Sequence, residues 1–422
     1  MKERVAIVGT GVAGLGCAWQ LRNHAEITLF EQDSRPGGHT NTVTVCEGGR
    51  FVPIDTGFIV FNKVTYPNLC RLFAELGVAI KPSEMSFSVQ HLPTGLEYNG
   101  MGLNKLFAQR RNITNLRFHA LILQIFRFFR IGNKLLASGG ADVLTLGEFV
   151  RQHGLGQDFL DLYLVPMSSA VWSTHPNDVL DFPAATLLNF FNNHGFLGVS
   201  THHQWYTVDG GARTYVEKIL SSVPAARLTA KVTGVRESAH SAEVTLASGE
   251  RHSFDRVILA SHADQTLSVL ENPDADQQRL LGAFRYQRNP AILHTDASVM
   301  PRKRLAWASW NYTVDAPGND RKARVHYWMN ALQGVSQDQD YFVSLHANDQ
   351  VDQSKVLYET TYEHPVFTLE AMRAQAELPA LNARSPGQRL FFCGSYFRYG
   401  FHEDAYKSAV DLAAVLRPNL AS

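Results

Sequence analysis

Val5-Ala6-Ile7-Val8-Gly9-Thr10-Gly11-Val12-Ala13-Gly14 stands at the head of the chain and decides its fold. Val5 to Val8 reads as a short buried strand, and Ala13 to Asn23 as the helix that follows it. Between them, Gly9 permits a tight turn, Gly11 lets a diphosphate approach the backbone, and Gly14 brings helix against strand. Unsatisfied N–H groups and the positive end of the helix dipole then face the anion. A second strand, Ile27-Thr28-Leu29-Phe30, ends at Glu31, 20 residues past Gly11. A carboxylate there can accept hydrogen bonds from ribose hydroxyls and would repel a 2′-phosphate. Strand, glycine turn, helix, strand and terminal acid together predict an α/β, dinucleotide-binding unit.

The chain around this unit has 422 residues, more than one core usually fills, which predicts two lobes and a cleft. With 45% hydrophobic and 18% charged residues it can bury a large core. Its 39 basic and 39 acidic residues balance, so no overall field draws in nucleic acid. Cys17, Cys46, Cys70 and Cys393 form no CxxC pair, which argues against a dithiol relay and for a reducing compartment, best the cytoplasm. The first strand begins within a few residues of Met1, so no signal peptide is expected. The longest apolar run, Leu121 to Phe129, is broken by Gln124 and Arg127, so no membrane span is expected.

Just after Glu31 comes Arg35-Pro36-Gly37-Gly38-His39-Thr40. With this motif the sequence resembles the flavin amine oxidase and phytoene desaturase superfamily, in which two such glycines run beneath the diphosphate and flavin of FAD. The family's usual Arg after the glycines is His39 here, which removes a fixed positive charge. Asp55-Thr56-Gly57-Phe58 is similar to the family's loop beside the isoalloxazine. Residues 227–235 and the strand Arg256 to Ala260 are similar to its adenine-covering segment, with Val232 at the adenine contact. Leu390 to Gly394-Ser395 and Gly400-Phe401-His402-Glu403-Asp404-Ala405 are similar to the strand, glycine and helix start that complete the flavin site. Ser395 stands where many relatives carry an acid or Thr, and Asp404 replaces a common Gly.

The resemblance implies noncovalent FAD, since the family's attachment cysteine has no counterpart. It also implies a Rossmann-type FAD-binding domain from 1–62, 205–265 and 386–422, interleaved with an α+β substrate domain from 63–204 and 266–385. Gly210-Gly211 resembles the family's small-residue turn, and no second nucleotide cradle is expected.

A narrower likeness, along the whole chain, is to flavoproteins resembling the amino-terminal flavin domain of plant cyclopropane fatty acid synthases. It rests on Pro166 to Trp172-Ser173, His294-Thr295-Asp296, Trp307 to Tyr312, Tyr327-Trp328-Met329-Asn330 and 400–404. This implies a lipid acyl substrate and a lipid methyltransferase partner. The aromatic residues equally suit a packed core, and His294 with Asp296 a structural pair. His202 and His203 lie on a strand-like stretch, point to opposite faces and cannot share a metal ion.

Tyr98 to Ala141 contains no acidic residue but carries Lys105, Arg110, Arg111, Arg117, Arg127, Arg130 and Lys134. Phe118, Leu121, Ile122, Ile125, Phe126 and Phe129 recur at helical spacing within it. Such a helix either rests on anionic headgroups, a peripheral contact of 103–137 on the inner membrane face, or packs with its arginines facing water.

The leading expectation is an FAD-dependent oxidoreductase that redox-modifies a lipid acyl chain, with Phe401 and His402 beside the ring and Trp172 on the apolar wall. One alternative is a flavin amine oxidase acting on a small amine between two aromatic rings, of which Phe401 is one. The other is a non-catalytic flavin-dependent scaffold for a methyltransferase.

Overall fold

The strand expected at Val5 is the middle of a five-stranded parallel sheet in the computed structural model, which describes residues 2–138, 144–173, 175–199, 201–315, 322–384 and 387–420. Residue 386, expected to open the third cofactor segment, Ala141 and 421–422 lie outside the described residues. Strand β1 (Glu3–Val8) pairs with β2 (Ala25–Glu31) on one side and with Arg256–Leu259 on the other. Ala225–Thr229 extends the sheet beyond β2, and Leu390–Phe392 extends it beyond Arg256–Leu259. After β1 the chain first builds outward on one side and then crosses to the other. A crevice therefore opens at the carboxyl ends of β1 and Arg256–Leu259, where Gly9 begins its turn.

Both faces of this sheet are covered, which is why β1 reads as an unbroken apolar run, with Val5, Ala6 and Ile7 fully buried. Helix α1 (Val12–Leu21) packs along the last helix, His402–Leu420, at Gly16. A Cβ at Gly16 would stand 2.8 Å from the Tyr406 ring, so glycine sets how closely the two helices approach. A three-stranded antiparallel layer, Val232–Glu237, Ala242–Leu246 and Arg251–Phe254, presents Phe254 edge-on to Phe30 of β2 at 5.8 Å.

A separate seven-stranded sheet draws its strands from residues 87–366. Its order is Val356–Val366, Arg285–His294, Phe342–Leu345, Arg324–Trp328, Trp310–Val314, Phe87–His91, Leu96–Asn99. Neighbours are antiparallel, except that Trp310–Val314 runs parallel to Phe87–His91. The helix Leu116–Ser138, the helical run 157–172 and the helix Ala184–Asn193 add a helical layer. The run 157–172 loosens into a π turn at Leu160–Leu164, just before Pro166. Proline has no N–H to donate and crowds the carbonyl four residues back. That carbonyl, of Leu162, accepts instead from the Tyr98 hydroxyl at 2.6 Å.

The acid-free segment does form its helix, Leu116–Ser138, but its core face differs from the expected one. Phe118, Leu121, Phe128 and Gly132 are the buried positions, and Phe128 meets Phe149, Phe159, Tyr163 and Phe191. Ile122, Ile125 and Phe129 are half-buried, while Phe126 is 47% exposed. Arg127, Arg130 and Lys134 face solvent, and Arg117 pairs with Asp158 at 2.6 Å. Among the described residues no helix is long and apolar enough to cross a membrane.

Candidate dinucleotide trough and apolar cavity

The turn after β1 is shaped by contacts that a side chain would destroy. Gly9 has φ +99°, and a Cβ there would stand 3.0 Å from the Ala260 carbonyl oxygen. A Cβ at Gly14 would overlap the Gly9 carbonyl oxygen at 1.9 Å, so this glycine seats α1 on β1. Gly11 is different: a Cβ would meet no protein atom within 4 Å, and the residue lines the cavity. Its bare backbone faces the trough. Helix α1 has no side-chain cap and no acid in its first turn, so its leading N–H groups remain available to an anion.

The second glycine turn lies directly on the first. Gly37 N donates to Thr10 O at 3.0 Å, and Gly38, at φ +57°, brings its Cβ position within 3.2 Å of the Gly11 Cα. The Arg35 guanidinium clasps this turn, donating to Thr40 O at 2.8 Å and Gly38 O at 2.9 Å. A fixed positive charge is thus present, supplied by Arg35. His39 does not carry it, because burial pushes its imidazole down to about 4 and leaves it neutral. Glu31 ends β2 at the trough, its carboxylate accepting from Thr10 N at 3.0 Å, Thr10 Oγ1 at 2.5 Å and Asp33 N at 3.1 Å. Of a carboxylate's roughly four acceptor positions, about one is left for a ribose hydroxyl.

The trough continues into one cavity of about 1100 Å³. Every residue expected at the cofactor lines it except Gly14, Gly37 and Asp55. The two glycines act behind the wall. Asp55 is a correction: it is fully buried away from the trough, where it accepts from Thr42 Oγ1 at 2.5 Å, Ala212 N at 3.0 Å and Gln333 Nε2 at 2.7 Å. It clasps its hairpin partner Thr42 and two distant segments, and burial pushes its carboxyl up to about 6.

At the far end of the trough the last helix begins. His402 lies flat on Phe58 and its Nε2 meets Tyr215 Oη at 2.7 Å; burial pushes its imidazole down to about 3. Phe401 stacks on Phe190 at 5.0 Å, with Trp172 at 6.2 Å. The Asp404 carboxylate accepts from Phe401 N at 3.0 Å and fixes this bend; burial pushes it up to about 7. Glu403 turns the other way and caps the helix Pro67–Glu75, accepting from Asn68 N at 3.0 Å and Leu69 N at 2.9 Å. Cys393, before Gly394, is buried with its thiol 3.6 Å from that of Cys17.

Two parts of the wall carry no sequence motif. Tyr362, Glu363 and His364 arrive on the edge strand Val356–Val366, aligned by its pairing with Arg285–His294. Here His39 sits 5.4 Å from His364 and 5.8 Å from His262, and burial pushes His262 and His364 down to about 3, both neutral. Phe190 arrives on the helix Ala184–Asn193. Among the described residues between 85 and 205 the lining includes no Asp, Glu, Lys or Arg, and it is built from side chains such as Ile125, Phe129, Met167 and Phe196. This apolar end reaches the surface at Met101, Leu103, Phe126 and Val199, all exposed. Of the narrower motif, Met167, Trp172, Trp310, Tyr327 and Phe401 are among the residues that line the cavity, whereas His294 is buried elsewhere, bound to Ser344 Oγ at 2.7 Å and to Asp296 N at 3.1 Å. His294 and Asp296 are a structural pair.

Residues 7–76 match the model of an NAD(P)-binding Rossmann-like domain, the stretch that holds both glycine turns. No curated protein sequence matches the chain. Among solved structures, a cyclohexylamine oxidase from Brevibacterium oxydans IH-35A aligns over 100% of both chains with TM-score 0.71 and 14% identity. A CLA-producing fatty acid isomerase from P. acnes aligns over 98% of both chains with TM-score 0.69 and 17% identity. A putrescine oxidase bound to putrescine covers 100% of this chain and 98% of its own, with TM-score 0.69 and 14% identity. The chain has the fold of these enzymes. Identities this low establish the shared architecture, and the chemistry has to be argued from this chain's own trough and cavity.

Proposed function

We propose that this protein is an FAD-dependent oxidoreductase acting on the acyl chain of a lipid. The observation that carries the substrate class is the apolar end of the cavity, whose lining among the described residues between 85 and 205 includes no Asp, Glu, Lys or Arg. An extended hydrocarbon gains by leaving water for such a wall, at about 25 cal/mol per Å². An ammonium ion placed there would lose its hydration with no carboxylate in the described lining of that end to replace it. The amine alternative needs a gap between two rings, but Phe401 is already stacked on Phe190.

The residues of the trough suit FAD. The bare Gly11 backbone and the start of α1 would hold the diphosphate, Glu31 the ribose, and Val232 the adenine. The chemistry available from such a cofactor is two-electron acceptance from a carbon–hydrogen bond. This chain contributes orientation and dryness: Phe401, Phe190 and Trp172 wall the junction of trough and cavity and exclude water. Neutral His39, His262 and His364 add hydrogen-bonding capacity there without adding charge. Exposed Leu103, Phe126 and Val199 at the opening, with Arg127 and Arg130 on the same helix as Phe126, support peripheral contact with an anionic bilayer as the route of entry.

The test is anaerobic mixing of the oxidised FAD-loaded protein with phospholipids bearing unsaturated or mid-chain-methylated acyl groups, and separately with primary and secondary amines. Loss of flavin colour with lipid, matched by a product lighter by two hydrogens, supports the reading. Bleaching by amines alone overturns it.

A further inference from the structure

A second concavity, of about 530 Å³, lies apart from the cofactor trough and is lined by Arg110, Arg111, Arg302 and Lys303. The first two belong to the acid-free segment, and their charge plays no part in the function proposed above. Among the described residues none of the four makes an ion pair, although cations close to them in sequence do: Lys105 with Glu84, Arg117 with Asp158, and Arg304 with Asp340.

Glu97, the one acid among the described residues of the wall, is 3% exposed and already engaged. Its two oxygens accept the backbone N–H groups of Arg302 and Lys303, each at 3.0 Å. Glu97 therefore fastens the 302–303 turn to the strand Leu96–Asn99 and leaves the cationic side chains unneutralised. The opposite wall is fastened to the same hairpin. Gln109 accepts from Glu97 N at 3.1 Å and donates to Gly95 O at 2.8 Å, while Arg111 donates to Gly95 O at 2.9 Å. Two segments nearly two hundred residues apart in sequence are thus held to one hairpin so that their four cations share one recess, against a single committed carboxylate among the described lining residues.

We infer that this recess binds a phosphoryl group, as a phosphomonoester in solution or as the headgroup of an anionic lipid. Like charges gathered in one place repel each other unless an anion joins them, and the fork of an arginine matches phosphate oxygens in pairs. Backbone anchoring on both walls lowers the ordering cost of binding. The inference concerns charge alone and stands whether or not the cavity accepts acyl chains.

It is tested with the FAD-loaded protein and two variants, the double variant Arg302→Glu/Lys303→Glu and the milder Arg111→Gln, each checked for an unchanged flavin spectrum and melting profile. Glycerol 3-phosphate is titrated by calorimetry, and vesicles of phosphatidylglycerol in phosphatidylcholine are used in flotation. All three proteins keep Arg127 and Arg130, so any pull from the long helix is common to them. The expected result is roughly tenfold or greater weakening in the double variant and a smaller loss in Arg111→Gln. Weakening in the calorimetric arm identifies a soluble phosphomonoester, and weakening confined to flotation identifies a lipid headgroup. If the parent protein binds neither probe, or the variants bind both as it does, the inference is wrong.

Discussion

The imidazole of His402 lies on the ring of Phe58 with centroids 3.8 Å apart and planes 6° from parallel. Its Nε2 meets Tyr215 Oη at 2.7 Å and Thr40 Oγ1 at 3.2 Å. The side chain thus ties the start of the last helix to the second glycine turn and to the helix Arg213–Ser222. His402→Ala should cost about 1–3 kcal/mol in chemical denaturation, from lost stacking and an under-satisfied Tyr215 hydroxyl. Tyr215→Phe should cost about 1 kcal/mol. With His402 pushed down to about 3, flavin reduction should show no titration from it between about pH 5 and 8, measurable by comparing pH profiles of parent and His402→Gln.

Two glycines of one motif should fail in different ways. Gly14→Ala drives a Cβ into the Gly9 carbonyl and should destabilise the cofactor-free protein. Gly11→Ala meets no protein atom, so the cofactor-free melting temperature should hold while FAD affinity falls roughly tenfold or more. Calorimetric melting with and without FAD separates the two; equal loss of apoprotein stability in both variants would contradict this account of the turn.

Asp404 gives stability a definite pH dependence. Its carboxyl is pushed up to about 7 from an ordinary value of 3.8, so the folded state holds this proton more tightly than the unfolded state. The contribution is fully present below about pH 4 and is lost as pH rises through about 7. Asp404→Asn keeps an oxygen to accept from Phe401 N and removes the penalty. It should be more stable than the parent at pH 8, by on the order of 2–4 kcal/mol, with the advantage shrinking toward pH 4. Denaturation midpoints across that range measure it.

Phe401→Asp places a carboxylate against Phe190 and the apolar wall. Flavin reduction by lipid should fall by at least an order of magnitude while FAD affinity changes little, because Phe401 stands where the trough meets the apolar cavity. Rapid-mixing absorbance and FAD titration provide the two readouts.

The peripheral contact proposed at the cavity opening should make binding to anionic vesicles salt-sensitive. Arg127→Glu/Arg130→Glu should cosediment with them several-fold less than the parent and keep its flavin spectrum. Unchanged cosedimentation would leave the long helix as a packing element whose arginines only face water.

The βαβ unit was legible from neighbouring residues alone, because Gly9, Gly11, Gly14 and Glu31 act within one short stretch whose geometry local backbone rules dictate. Helical periodicity likewise marked the helix Leu116–Ser138, though not which of its faces enters the core: Phe128 is fully buried and Phe126 is not, a choice made by the aromatic residues of other helices. Asp55 lies in a motif-like stretch beside Gly57, yet its partners Ala212 and Gln333 draw it into the interior. The edge strand with Tyr362, Glu363 and His364 has no signature, since only pairing with Arg285–His294 sets it against His39. The cationic recess is of the same kind, with Arg110 and Arg302 brought together by Glu97 and Gln109. Local conformational preference is written in neighbouring residues, whereas burial and charge depend on what the folded chain brings from far along its length.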